Sequence, residues 1–181
     1  MTTHVAFLRA VNVGKRTVRM PRVVELAENL GHTGVWTYVN SGNIVFRAAG
    51  ARAELERGFE AALQDDVGFE VTTFVRTAAE LRRALAFQPF AIGPGDTYFV
   101  TFLKDRPSTA TAKALEALSN DFDTLIVQGR DVHWHMRGKS TETKLPTKAW
   151  DDIIGRHRST SRNTNMLRRL MAKIESSDRE G

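Results

Sequence analysis

No cysteine occurs anywhere in the chain, which excludes disulfides, thiolate nucleophiles and thiolate-ligated zinc. Missing too are the Gly-x-x-x-x-Gly-Lys phosphate loop, the Gly-x-Ser-x-Gly elbow and the His-Glu-x-x-His metal helix. With neither Cys nor an activated Ser in view, covalent hydrolysis is not expected. No apolar run approaches the roughly 18 residues that a membrane helix requires. The first residues show no basic segment followed by an apolar core, so no secretory signal is expected. A cytoplasmic protein without membrane contact is the expectation. Tyrosine and tryptophan are scarce, at two and three. Only Trp36 and Tyr38 stand where an exposed sheet could offer rings to RNA bases.

What the chain does hold is enough apolar material, 41% over 181 residues, for one domain or two small halves. Its charge is uneven. Residues 1–129 carry 14 Lys/Arg and 14 Asp/Glu, whereas residues 130–181 carry 12 and 7, so the whole +5 lies in the last stretch. Such a density suits phosphate or nucleic acid, because each cation at a phosphate releases counterions. A solvated basic face on the closing helices explains it equally well.

The first half alternates between two periodicities. Val5–Val13 has the apolar density of a buried strand, placing Arg9 on one face with Phe7 and Val11, and Asn12 on the other. Pro21 and Gly31 bracket a helix whose Val23, Leu26, Ala27 and Leu30 follow the i, i+3, i+4, i+7 pattern. Trp36–Val39 and Ile44–Phe46 then form a hairpin about Asn40-Ser41-Gly42-Asn43, Gly42 supplying the positive φ. Ala51–Asp66 is a second helix and Phe69–Arg76 a fourth strand. The β-α-β-β-α-β order is that of a ferredoxin-like split βαβ unit. A right-handed crossover is expected to put the first and fourth strands at the centre, with helices on one face only.

Residues 77–181 repeat the theme. Thr77-x-x-Glu80 is a capping box, and Gly93-Pro94-Gly95 marks a loop. A strand at Tyr98–Leu103, a helix capped by Ser108, and a hairpin across Gly129-Arg130 follow. Helices around Trp150 and from Met166 to Ile174 close the chain, so this half looks like the first without its last strand. The fold class expected is α+β: two ferredoxin-like subdomains packed together, residues 1–76 and 77–181, with antiparallel sheets.

Three segments carry a family likeness: Phe7-Leu8-Arg9-Ala10-Val11-Asn12-Val13-Gly14 with Val18-Arg19-Met20, Thr37 to Phe46, and Thr160-Ser161-Arg162-Asn163. Together they resemble the bacterial family known as domain of unknown function 1697. The resemblance implies two ferredoxin-like subdomains and no established activity. The chain departs from the family pattern at Ala10, where Gly is usual, and at Thr143-Lys144-Leu145, where Ser-Lys-Leu is typical. Arg162-Asn163-Thr164-Asn165-Met166 also lacks the tryptophan of the usual Arg-Asn-Trp-Asn-Thr.

Two clusters are candidate ligand sites. Arg9, Asn12 and Lys15 could meet the hairpin residues Asn40, Ser41 and Asn43; a strand arginine needs either an internal partner or a bound anion, which guanidinium grips bidentately. Thr160, Arg162 and Asn163 precede the last helix, where ordinary capping and anion binding share one geometry, and Lys144 converging there would favour phosphate. His133 and His135 share a strand face, but no third ligand has metal-site spacing, and neither metal nor cofactor is expected. Asp65-Asp66 and Asp151-Asp152 bear no mark of a general acid and base. The expected function is therefore binding of a phosphate-bearing ligand, nucleotide or nucleic acid. A small-molecule enzyme with a non-covalent site in the cleft between the halves (Arg9, Asn40, Arg162) is one alternative, and whether any reaction is catalysed stays open. A protein-interaction module, monomer or weak homodimer through a sheet edge, is another.

Overall fold

The computed structural model describes residues 1–12, 14–39 and 42–180, with backbone alone for Asp178 and Glu180. The chain separates into two compact units, one comprising residues 1–82 together with the chain from Leu170 onward, the other Arg83–Arg169. In the first, β1 (Thr2–Leu8), α1 (Met20–Asn29), β2 (Thr33–Thr37), β3 (Asn43–Ala48), α2 (Arg52–Val67) and β4 (Thr73–Thr77) follow in turn, and α3 (Ala78–Ala86) leads on. The sheet order is β2-β3-β1-β4, and each neighbouring pair is antiparallel. Each crossover thus skips one strand. The expected centre was partly wrong: β3 lies beside β1, and β4 is an edge.

Pattern explains the layers. Ala6, Leu8, Ile44, Phe46 and Val75 point to one face of the sheet and form a single core with Val23 and Leu26 of α1 and Leu55, Phe59 and Leu63 of α2. These helix positions recur at three and four residues, so both helices cover the same face. Val5, Phe7, Val45, Phe74 and Arg76 alternate to the other face. Leu170, Met171 and Ile174 of the last helix belong to this unit and are buried.

The second unit has the same order: β5 (Thr97–Leu103), α4 (Thr109–Glu116), β6 (Asp123–Gln128), β7 (Asp131–Met136), α5 (Thr147–Ile154) and β8 (Ser159–Asn163), after which α6 (Thr164–Glu180) begins. Its sheet reads β6-β7-β5-β8, antiparallel throughout. The half expected to lack a last strand has one. Ser159–Asn163, expected as a cap segment, pairs along β5 from Leu103 to Phe99. The repeat holds residue by residue: Val5 opposes Arg76 and Val45 in one sheet, and Val100 opposes Arg162 and His133 in the other. The fold is α+β, two four-stranded antiparallel sheets with helices. No helix among the described residues is long and apolar enough to cross a membrane.

Candidate functional site

The loop after β1 begins four residues before its expected end. Ala10 and Asn12 take φ of 52° and 57°, which no strand allows. Asn12 uses both its ends on the loop itself: its N–H donates to the Arg16 carbonyl (2.7 Å) and its Oδ1 accepts the Val18 N–H (2.9 Å). Arg9 is partly buried and its N–H donates to the Thr72 carbonyl, while Lys15 is exposed and the Arg16 guanidinium lies 5.0 Å from the Phe69 ring. Asn40 and Ser41 lie outside the described residues. Asn43 is fully buried, with Nδ2 donating to the Tyr38 carbonyl at 2.9 Å. Gly42 binds turn to loop: at φ 76°, a Cβ there would stand 2.7 Å from Val11 Cγ2 and 2.8 Å from Leu8 Cβ. Loop and hairpin therefore do meet, through apolar contact and backbone.

The second cluster is dispersed within its unit. On β8, Arg162 Nη1 donates to Thr160 Oγ1 (2.8 Å) and to the Ser161 carbonyl (3.0 Å), and Asn163 Oδ1 accepts the Asn165 N–H (2.8 Å). Burial pushes the Arg162 pKa down to about 10, so it stays cationic at neutral pH. Lys144 belongs to the other edge. Its N–H donates to Asp123 Oδ2 (2.8 Å) and its ammonium pairs with Asp121 (3.0 Å). Asp123, fully buried at the start of β6, also accepts the Trp134 indole N–H (2.8 Å) and the Thr143 hydroxyl (2.7 Å). One carboxylate thus accounts for Thr143-Lys144 as structure, and Lys144 does not converge with Arg162.

The two histidines share a face, as their spacing requires, but each ring is engaged separately. The Tyr98 hydroxyl donates to the Phe87 carbonyl (3.1 Å) and lies 2.6 Å from His133 Nδ1. With its only proton on the carbonyl, it accepts from Nδ1–H, which leaves His133 Nε2 a buried lone pair. Burial lowers the His133 pKa to about 4. His135 Nε2 meets Asp96 Oδ2 at 2.8 Å, and this contact, with the Gly93 N–H, holds the Asp96 pKa below its usual value. Phe87 and Phe90 pack their rings on His133, Tyr98 and His135, closing that face.

An open concavity lies elsewhere, in the first unit, on the face of the sheet that α1 and α2 leave free. Trp36 on β2 and Tyr38, just past its end, flank Thr37, and the C-terminal turns of α6 run beside them. A cleft of about 470 Å³ is lined by Trp36, Thr37, Ala172, Lys173, Ser176 and Ser177. A second, of about 290 Å³, shares Trp36 and Ser177 and extends to Val45, Arg47 and Ile174. Lys173 Nζ sits 5.2 Å from the Tyr38 ring centroid, a cation–π contact that holds the ammonium at the rim. Arg47 runs over Gly34, whose missing Cβ would lie 3.7 Å from its Cδ. Of these groups the sequence had singled out only the aromatic pair. Lys173 was one charge among many, and Arg47 becomes a neighbour only when β2 pairs with β3.

The sequence matches the family described as Protein of unknown function (DUF1697) over residues 1–133. The chain belongs to this family. Among solved structures it is similar to the conserved bacterial protein SP0830 from Streptococcus pneumoniae, at 19% identity and a TM-score of 0.73, with 97% of this chain and 99% of that chain covered. At that identity the likeness shows a common fold. No curated protein matches the sequence.

Proposed function

We propose that this family member binds a phosphate-bearing ligand with an aromatic base, a nucleotide or nucleic acid, in the cleft beside Trp36. One observation carries the proposal: a half-buried indole walls an open concavity whose rim holds the Lys173 ammonium over Tyr38. A ring offers a base a stacking surface whatever the base is, and a fixed ammonium offers phosphate a charge without the full entropy of ordering a free lysine.

Titration of fluorescent nucleotides and oligonucleotides tests this. Binding should fall steeply with salt, and Trp36→Ala should weaken it about 5- to 150-fold, the equivalent of ~1–3 kcal/mol per stacked base. Salt-indifferent binding, or none to nucleotides, DNA or RNA, would refute it. A cytoplasmic location belongs to the same proposal and is checked by cell fractionation.

The β2 edge favours a second use, pairing with another copy of the chain. Tyr38 donates to the Asn43 carbonyl (2.9 Å), so the polar groups of neighbouring Thr37 point outward from the sheet, where no described residue meets them. Sedimentation independent of concentration would remove that use.

A further inference from the structure

Resting on the proposed nucleotide site, we infer that its ligand is a single strand of nucleic acid that passes across Trp36, and not a mononucleotide. The two clefts are neighbours with a common wall: Trp36 and Ser177 line both. Each has its own cation, Lys173 at the rim of the larger and Arg47 in the smaller. A mononucleotide stacked on Trp36 places its one phosphate on one side of the ring, beside one of the two cations. A strand has a phosphate on either side of every internal base, so one stacked base brings two phosphates to two cations.

The surroundings agree with an extended ligand. The outward N–H of Thr37, beside Trp36, is available to a phosphate or a base edge. Ser176 and Ser177 donate their hydroxyl protons back to the Ala172 and Lys173 carbonyls, both at 3.0 Å, so their oxygens face the cleft as acceptors. Acceptors and a donor around a ring, with charge at both ends, suit a polynucleotide read without sequence preference.

Anisotropy of labelled hexamers of thymidylate and uridylate on the full chain, with thymidine monophosphate and poly-glutamate as competitors, tests the inference. The hexamer is expected to bind at least about tenfold more tightly than the monophosphate, since each ~1.4 kcal/mol from a further contact is tenfold in affinity. Lys173→Ala and Arg47→Ala should each reduce the salt slope of hexamer binding by about 0.7, the value for one lost phosphate contact on a single strand. A difference between thymidylate and uridylate would assign DNA or RNA as the source. Equal affinity for monophosphate and hexamer, both lost in Trp36→Ala, would overturn the strand while leaving the nucleotide site intact. Poly-glutamate competing as well as the hexamer would overturn the nucleic acid in favour of an acidic polypeptide. Hexamer binding untouched by Trp36→Ala and by Lys173→Ala, which lies on an exposed helix face and leaves folding unaffected, would overturn this location. No binding of any probe would overturn site and strand together.

Discussion

β2 and β6 occupy the same place in two copies of one sheet, and they are finished differently. On β6 the outward N–H groups of Leu125 and Val127 are taken by the Ser119 hydroxyl (3.0 Å) and the Glu116 carboxylate (2.9 Å). β4, the opposite edge of the first sheet, has Thr73, Val75 and Thr77 donating to Glu60, Glu56 and Glu80 at 2.9, 3.0 and 2.8 Å. Charged side chains laid over an edge prevent another strand from pairing there. β2 has no such cover among the described residues, only a register shift between Thr33 and Trp36. Ring placement differs in step. Trp36 opposes Val45, and the equivalent pair in the other sheet is Ile126 and His133, whose face is roofed by Phe87 and Phe90. One copy of the fold roofs that face with rings at the His133 end, whereas the other buries its centre at Val5, Phe7 and Phe74 and leaves its β2 end beside a cleft.

The comparison can be broken most severely at Asp123. Asp123→Ala should cost about 3–5 kcal/mol in urea unfolding, because the Trp134 indole, the Thr143 hydroxyl and the Lys144 N–H lose a buried acceptor. A loss under about 1 kcal/mol would mean that water replaces the carboxylate and that the second unit is less closed than its contacts imply.

His133 comes next, through pH. Its folded-state pKa lies below the unfolded 6.5, at about 4, so the unfolded chain takes up the proton first as acid is added. Its contribution is complete above about pH 6.5 and is lost as pH falls towards 4, to a total of about 3 kcal/mol. His4 and His32, whose pKa values burial also lowers, add in the same direction. His133→Phe keeps the ring and leaves the Tyr98–Phe87 hydrogen bond in place, so thermal melts from pH 7 to 4 should show a flatter acid limb. An unchanged limb would place the titration elsewhere.

Glu116→Ala makes the β6 edge resemble β2. It should cost about 0.5–1.5 kcal/mol, the net value of one hydrogen bond, and should speed amide exchange at Val127. Smallest in stability is Trp36→Ile, which gives β2 the residue that β6 carries. Folding should change by less than about 1 kcal/mol because Trp36 is only partly buried and isoleucine keeps an apolar, strand-favouring side chain there. A large loss of stability would mark Trp36 as core and remove it as a binding surface.

Much of this fold was legible as periodicity. The Val23, Leu26 and Ala27 stripe, the Thr77–Glu80 capping box and Ser108 as an N-cap all stand in the structure, with Thr77 and Glu80 exchanging N–H bonds and Ser108 Oγ accepting from Thr111; Leu30, expected in the same stripe, caps the end of α1 and is exposed. Gly129 takes φ 63° at the hairpin expected across Gly129-Arg130. β8 was illegible because Ser-Thr-Ser-Arg-Asn shows no apolar alternation. Its pairing rests on backbone ladders and on a hydroxyl pair, Thr101 to Ser161 at 2.7 Å, that no single segment reveals. Asn43 was legible as a polar turn residue and Asn12 was read as part of the first strand; their partners, the Tyr38 carbonyl and the Val18 N–H, lie five and six residues away.

Local order therefore came from the chain itself: which stretches are helix or strand, which faces are apolar, and the split βαβ sequence of elements, all set by side-chain spacing against 3.6- and 2-residue periods. Tertiary structure decided the sheet order, which edge is covered and which is bare, and that Trp36 walls one cleft with Lys173 and another with Arg47. Those are contacts between residues 11 to 137 positions apart, and their geometry depends on how layers pack, a quantity that no window of sequence contains.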